Sequence, residues 1–354
     1  MKKRYIFAGA AGFVGAAVAA RLVARPRDVT WDEERGRLGH AERSRFAEIG
    51  GVSVHYLEAG ERDAPAVLLL HGFAASNFVW HDALVPLAGA GFRVVAPDLV
   101  GFGFSGKPRD GEYTIEAQAR AVVGLMDALG IGGASVVGSS YGGAVAAVCA
   151  LDHPARVRRL VLVGAVSNNE VRQRLVARLG GLRGLGEALT PFVLDARHRR
   201  KRRRLREQTA LDGRDYDELR VRAQLRPLKA ANTQRAILQT LRHWDASRVE
   251  REAGRIAQPT LLVWGADDRE VPLRHGERLR ALIPGARLFV FESCSHLPQE
   301  ERPAEFARLV AEFCQSSPES EVQSLESKDV SSDHSLAPDY SLTPDSRLRT
   351  PDLI

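Results

Sequence analysis

The sequence predicts an α/β fold, a mostly parallel sheet flanked by helices and carrying one helical insertion. Two observations predict it. Between residues 45 and 314 the runs "PAVLLLHG", "FRVVAPD", "ASVVGS", "RRLVLVGA", "PTLLVWGA" and "RLFVFES" are short and rich in Val and Leu. Continuous apolar runs of that length fit strands covered on both faces, as in parallel sheets. Between several of them apolar residues recur at spacings of three and four, as from Thr114 to Leu129, the period of a helix packed on one side. The composition agrees: 44% of the 354 residues are apolar and 27% charged, which suits one large domain with tails.

The N-terminal stretch "FAGAAGFVGAAVAARLVAR" admits two readings. Gly9, Gly12 and Gly15 are spaced like a dinucleotide-binding turn, and Asp32 follows at a suitable distance. A lone βαβ unit without further parallel strands would leave its apolar faces exposed, and the strand pattern begins only near Arg45. The competing reading takes Met1-Lys2-Lys3-Arg4 as a positive end, followed by an uncharged stretch from 5 to 20 that spans ~24 Å as a helix. It approaches the ~30 Å hydrocarbon core once Leu22 to Ala24 are included and Arg21 snorkels. "AVAA" at 17–20 resembles a signal-peptidase site. Residues 1–27 are therefore expected to be a signal or membrane anchor, making the protein membrane-associated or exported, and cytoplasmic otherwise.

"VSVHYLEAG" reads as an early antiparallel strand, and the buried strands follow. The alternation stops between about residues 167 and 258, where Arg and Leu recur at helical spacing around a Gly-rich break, "LGGLRGLGEAL". This is the helical insertion. Within it "RHRRKRRRLR" (197–206) holds eight Lys and Arg and no acid, and removing those charges takes the formal balance from +6 to −2. The run fits a solvated helix face or a contact with anionic lipid headgroups; nucleic acid is not expected, since interleaved aromatics and a known binding fold are absent. Residues 315–354 hold eight acids against three bases and almost no aromatics, and are expected to be a disordered acidic tail. Cys149, Cys294 and Cys314 are too few and too scattered for a disulfide framework or a zinc site.

The chemistry concentrates in "VVGSSYGG" (136–143), which lies between a predicted strand and a predicted helix. Gly138-Ser139-Ser140-Tyr141-Gly142 fits G-x-S-x-G, the sharp turn that exposes a serine above a helix start. Small residues two before and two after the nucleophile select Ser140, because Ser139 would have Val137 and Tyr141 in those places. A serine needs a base to take its proton, and His296 in "FESCSHLPQEERPAEF" lies on the loop after the last strand. An acid must orient that imidazole, and "LLVWGADDREVP" supplies Asp267 and Asp268 after another strand. "LLLHGFAAS" sets His71-Gly72-Phe73 at a strand end, so the N–H groups of Phe73 and Tyr141 are the expected oxyanion donors.

With "HGF" (71–73), "DLVGFGFSGKP" (98–108), "GSSYGG" (138–143), "WGADDREVP" (264–272) and "SHLPQEERP" (295–303) in this order, residues 45–314 resemble an α/β-hydrolase of the esterase, lipase and C–C hydrolase type with a helical cap. The resemblance implies that the acid follows glycine as G-x-x-D, which selects Asp268, and that Ser140 forms an acyl-enzyme with His296 as base and then acid. It implies no metal or organic cofactor. The substrate expected is a small-molecule ester, with a monoacylglycerol-like lipid attractive if the N-terminus and basic run meet a membrane. C–C bond hydrolysis by the same three residues is the alternative, and a non-catalytic membrane or nucleic-acid binder on a hydrolase scaffold a further one. His71 is expected to be a structural hydrogen-bonding residue behind the oxyanion loop. Phe78 and Trp80 fit either an acyl pocket or core packing. "GFGFSG" (101–106) matches G-x-G-x-x-G, but turn-formers follow it where a phosphate site needs a helix.

Overall fold

The computed structural model describes residues 15, 30–37, 41–171, 203, 228 and 231–316. The chain divides into two units, Met1–Cys314 and Gln315–Ile354, and the first carries the sheet. The expected N-terminal anchor or signal, most of the insertion including the basic run, and the acidic tail lie outside the described residues. Among the described residues no helix is long and apolar enough to cross a membrane.

Eight strands form one sheet: β1 (Ser44–Ile49), β2 (Val52–Ala59), β3 (Ala66–Leu70), β4 (Arg93–Pro97), β5 (Ala134–Ser139), β6 (Val157–Val163), β7 (Thr260–Gly265) and β8 (Arg287–Phe291). Their order is β1-β2-β4-β3-β5-β6-β7-β8. β2 runs antiparallel to β1 and β4, and every pair from β4 to β8 is parallel. The expected strands are all present, and "VSVHYLEAG" is antiparallel as read. β1 is the addition. It pairs with β2 through Gly50 and Gly51, whose φ angles of 56° and 79° are those of a two-residue hairpin turn open mainly to glycine.

Two apolar layers cover the sheet because successive side chains along a strand point to opposite faces. Leu68, Leu70, Val136, Leu160, Leu162 and Trp264 face one layer with α2 (Ile115–Ala128), α3 (Tyr141–Asp152) and α6 (Arg274–Leu282). Val67, Leu69, Val137, Val161 and Val263 face the other with α1 (His81–Gly89) and α7 (Pro303–Gln315). α3 is buried from Tyr141 to Leu151, which is why its sequence is apolar all round. Thr114 caps α2, its hydroxyl accepting from the Ala117 N–H at 3.1 Å. Trp80 is fully buried against Phe306 in the second layer, so it belongs to the core and not to an acyl pocket. From the insertion, the described residues include helices α4 (Ala231–Arg242) and α5 (Ser247–Glu252).

"DLVGFGFSG" packs tightly around a buried carboxylate. Asp98 accepts the Asn77 N–H at 2.7 Å, the Phe104 N–H at 2.8 Å and a hydrogen bond from His55 Nδ1 at 2.7 Å. A Cβ on Gly103 (φ 51°) would strike that carboxyl group, and one on Gly101 (φ 93°) would lie 2.5 Å from the Tyr113 ring. These glycines therefore serve loop packing, not a phosphate. Burial alone would raise the Asp98 pKa, but the hydrogen bond and charge of His55, with help from His71 and the Asn77 N–H, hold it below the usual carboxylate range. A depressed folded-state pKa gives stability that is complete above about pH 5 and is lost as pH falls further. Asp98→Asn is expected to lower stability by about 3 kcal/mol at neutral pH and to flatten the acid limb of a urea-midpoint profile between about pH 5 and 2. Superimposable profiles for the two proteins would contradict this role.

Candidate active site

The parallel strands deliver the singled-out residues to one edge. Phe73 follows β3, Ser140 follows β5, Asp268 follows β7 and His296 follows β8, each just past the C-terminal end of its strand. Open α/β sheets bind ligands along that edge.

Ser140 sits between β5 and α3 with φ 55° and ψ −115°, a conformation disfavoured for an L-residue. Backbone hydrogen bonds hold it: its N–H donates to Val163 at 2.8 Å, and its carbonyl accepts from Val166 at 3.0 Å and Gly143 at 3.0 Å. The glycines around it make the turn possible. A Cβ on Gly138 would collide with Gly142, and one on Gly142 with the Leu70 and His71 carbonyls. A Cβ on Gly143 would lie 2.5 Å from Ala165 Cβ. Ser140 keeps part of its surface accessible, whereas Ser139 is fully buried.

Asp268 and His296 meet as a buried pair, with Oδ2 2.7 Å from Nδ1. The other Asp268 oxygen accepts the N–H groups of Glu270 at 2.8 Å and Val271 at 2.9 Å, while Asp267 is exposed. Gly164 lies beneath the pair, where a Cβ would stand 3.1 Å from Asp268 Oδ2 and from His296 Nδ1. The loops after β7 and β8 are joined by the Ala266 N–H to Phe291 and the Asp267 N–H to Cys294, both 2.9 Å. A Cβ on Gly265 would collide with the Cys294 and Ser295 carbonyls, which explains the glycine of G-x-x-D.

Two residues of the His296 loop carry roles that sequence reasoning missed. Glu301 folds back and accepts the N–H of Ser295 at 2.9 Å, its hydroxyl at 2.5 Å and the N–H of Leu297 at 3.3 Å, bracketing His296 on both sides. Gln299 donates to the Ser139 hydroxyl at 3.3 Å and so ties this loop to the serine turn. Burial and the Glu301 carboxylate push the Cys294 thiol up to about 12, which keeps it protonated beside the histidine.

The third loop is set by His71. Its Nδ1 donates to the Gly72 carbonyl at 2.8 Å, and Nε2 accepts the Leu99 N–H at 3.0 Å. Burial lowers its pKa, in keeping with a neutral ring in that fixed tautomer. Because a peptide unit is planar and trans, fixing the Gly72 oxygen also fixes the opposite direction of the Phe73 N–H. Among the described residues, the Phe73 and Tyr141 N–H groups donate to no protein acceptor. A Cβ on Gly72 would lie 3.2 Å from Ser140 Cβ and 3.8 Å from its hydroxyl, so this loop and the serine are immediate neighbours. Ala74 (φ 52°) and Ser293 (φ 51°), like Ser140, have left-handed backbones, so all three such non-glycine residues among those described lie in loops of this edge. No group of three His, Cys, Asp or Glu side chains among the described residues has metal-binding geometry.

The family model of the alpha/beta hydrolase fold matches residues 65–303. The chain is 34% identical to a 2-hydroxy-6-oxo-6-phenylhexa-2,4-dienoate hydrolase of Comamonas testosteroni, over 78% of this chain and 98% of the relative. Among solved structures, a serine-to-alanine mutant of a meta-cleavage product hydrolase from Pseudomonas fluorescens is 30% identical, with TM-score 0.58 over 78% of this chain and 97% of that one. A bacterial membrane phospholipase A is 28% identical, with TM-score 0.61 over 88% of this chain and 98% of that one.

Replacing Glu301 with Ala removes three hydrogen bonds to one carboxylate and should cost about 2–3 kcal/mol of stability. Amide exchange at Ser295 and Leu297 is expected to accelerate at least roughly tenfold, while exchange at the strand residue Val161 stays slow. Unchanged exchange at the two loop positions would show that Glu301 does not hold the histidine loop.

Proposed function

The chain belongs to the α/β-hydrolase fold family, and on that premise we propose that it is a serine hydrolase acting on the carbon–carbon bond beside a ketone in a 2-hydroxy-6-oxo-dienoate-type substrate. The observation that carries the bond type is the relative that acts, by its name, on such a dienoate and aligns over nearly its whole length. The geometry supports the serine chemistry. In this reading Ser140 is the nucleophile, His296 the base and then acid, and Asp268 the group that orients the imidazole through its contact with Nδ1. The Phe73 and Tyr141 N–H groups receive the oxyanion. The relatives favour this carbon–carbon alternative over the ester reading of the sequence.

A carbon leaving group departs only if its electron pair is delocalised. The dienol first moves its 2-hydroxyl proton to C5, giving a 2,6-diketone with a conjugated C3–C4 double bond. Ser140 Oγ then attacks the C6 carbonyl, its proton passing to His296 Nε2. Collapse of the tetrahedral adduct breaks the C5–C6 bond, and the pair spreads onto the 2-oxygen as a dienolate. His296 returns the proton there. Water, deprotonated by the same histidine, releases the acyl group as a carboxylic acid and the proton restores Ser140. The attack on C6 and the release of the acyl group use the same machinery as ester hydrolysis, so the leaving group alone separates the two readings.

A second reading, ester hydrolysis at a membrane, is favoured by the phospholipase A structure, which aligns over more of this chain than the dienoate hydrolase does. Residues 1–27 would then be the anchor and the basic run a lipid contact. Deleting 1–27 would release the protein from the membrane fraction in that case, and unchanged fractionation would exclude it.

With 2-hydroxy-6-oxo-6-phenylhexa-2,4-dienoate, the purified protein is expected to release benzoate. Ser140→Ala and Asp268→Asn should each lower kcat by at least roughly a thousandfold. Turnover of p-nitrophenyl esters without any benzoate release would instead select the ester reading.

A further inference from the structure

Tyr141 has two ends with different surroundings. Its backbone N–H borders Ser140, and its side chain is fully buried, yet among the described residues the phenol oxygen has no hydrogen-bond partner. A buried hydroxyl left unpaired is unfavourable and uncommon in a folded protein. Apolar contacts hold the ring in place. Trp244 lies 5.1 Å away between ring centroids and Phe73 6.2 Å, with Phe73 and Trp244 in edge contact at 5.3 Å. Phe102 closes the far side of Phe73 at 6.1 Å. The candidate nucleophile and the loop of Phe73 thus share an aromatic wall that includes the Tyr141 phenol.

The cap helix adds to the same cluster. In α4, Thr233, Ile237 and Thr240 fall on one face by their spacing of four and three, and Ile237 belongs to the buried cluster that contains Tyr141 and Trp244. The hydroxyls of Thr233 and Thr240 are also buried without a hydrogen-bond partner among the described residues. Apolar walls with a few convergent polar groups are the usual composition of a small-molecule site. Burial first, and the Glu116 carboxylate second, raise the Tyr141 pKa, so the phenol keeps its proton and can donate.

We propose that the Tyr141 hydroxyl is a specificity-determining donor, selecting substrates that carry a second acceptor oxygen on the part lying under α4, away from the carbonyl attacked by Ser140. This rests on the proposed serine-centred site and narrows its substrate class. Simple alkyl acyl chains leave the phenol unpaired; a 1,5-dicarbonyl compound satisfies it. The 2,6-diketone form of the dienoate has that spacing.

Binding tests the proposal without relying on turnover. The Ser140→Ala protein is titrated by calorimetry with 1-phenylhexane-1,5-dione and with 5-methyl-1-phenylhexan-1-one, which replaces the second oxygen by a methyl group. The dione should bind roughly tenfold more tightly, and Tyr141→Phe in the same background should erase that preference. Tyr141→Phe should not lower the thermal midpoint, because it removes a hydroxyl that lacks a protein partner among the described residues. Absence of a preference for the dione, its persistence after Tyr141→Phe, or a loss of thermal stability in that variant would each overturn the assignment. Failure of Ser140-dependent benzoate release, a separate measurement, would overturn the proposed function instead.

Discussion

The backbone of Ser140 is held in a left-handed conformation that costs of order 1–3 kcal/mol, and the active edge is arranged around it. Hydrogen bonds to Val163, Val166 and Gly143 over-determine that conformation. Three glycines then let β3, α3 and β6 close in on the turn until any side chain would collide. Strain of this kind persists only where its surroundings are rigid, and here they are the centre of an eight-stranded sheet. The result is a partly accessible serine beside Gly72, with two backbone N–H groups nearby that have no protein acceptor among the described residues.

The other loops are secured by cross-links between adjacent strand ends. The loops after β7 and β8 share backbone hydrogen bonds, Gly265 lets them touch, and Glu301 and Gln299 tie the histidine loop to itself and to Ser139. His71 plays the corresponding part behind Phe73. The histidine loop and the Phe73 loop are therefore each supported by further polar side chains, and such support is what fixes catalytic geometry.

Much of this was legible in the sequence for physical reasons. Central strands buried on both faces leave unbroken apolar runs, and a tight serine turn demands glycine at fixed positions. β1 was missed because an edge strand with exposed Arg45, Phe46 and Glu48 shows no such run; the Gly50-Gly51 pair was its one signal. Asp267 and Asp268 were separated only by a family pattern, whereas geometry separates them by burial. Trp80 looked equally suited to a pocket and to the core, since aromatic character does not reveal which side of the sheet a residue faces. Gln299 was silent because its partner is 160 residues away, and the unused Tyr141 hydroxyl because a missing bond leaves no pattern. The bond cleaved is not legible for a related reason: esters and ketones are attacked by the same three residues.

The proposed chemistry rests on Ser140 acting as a nucleophile activated by His296. It is tested most directly by exposing the protein to a fluorophosphonate and locating the adduct by mass spectrometry. One adduct is expected, on Ser140, that is absent from Ser140→Ala and forms at least roughly a hundredfold more slowly in His296→Ala. Labelling that is equally fast in all three proteins, or an adduct on any other residue, would contradict it.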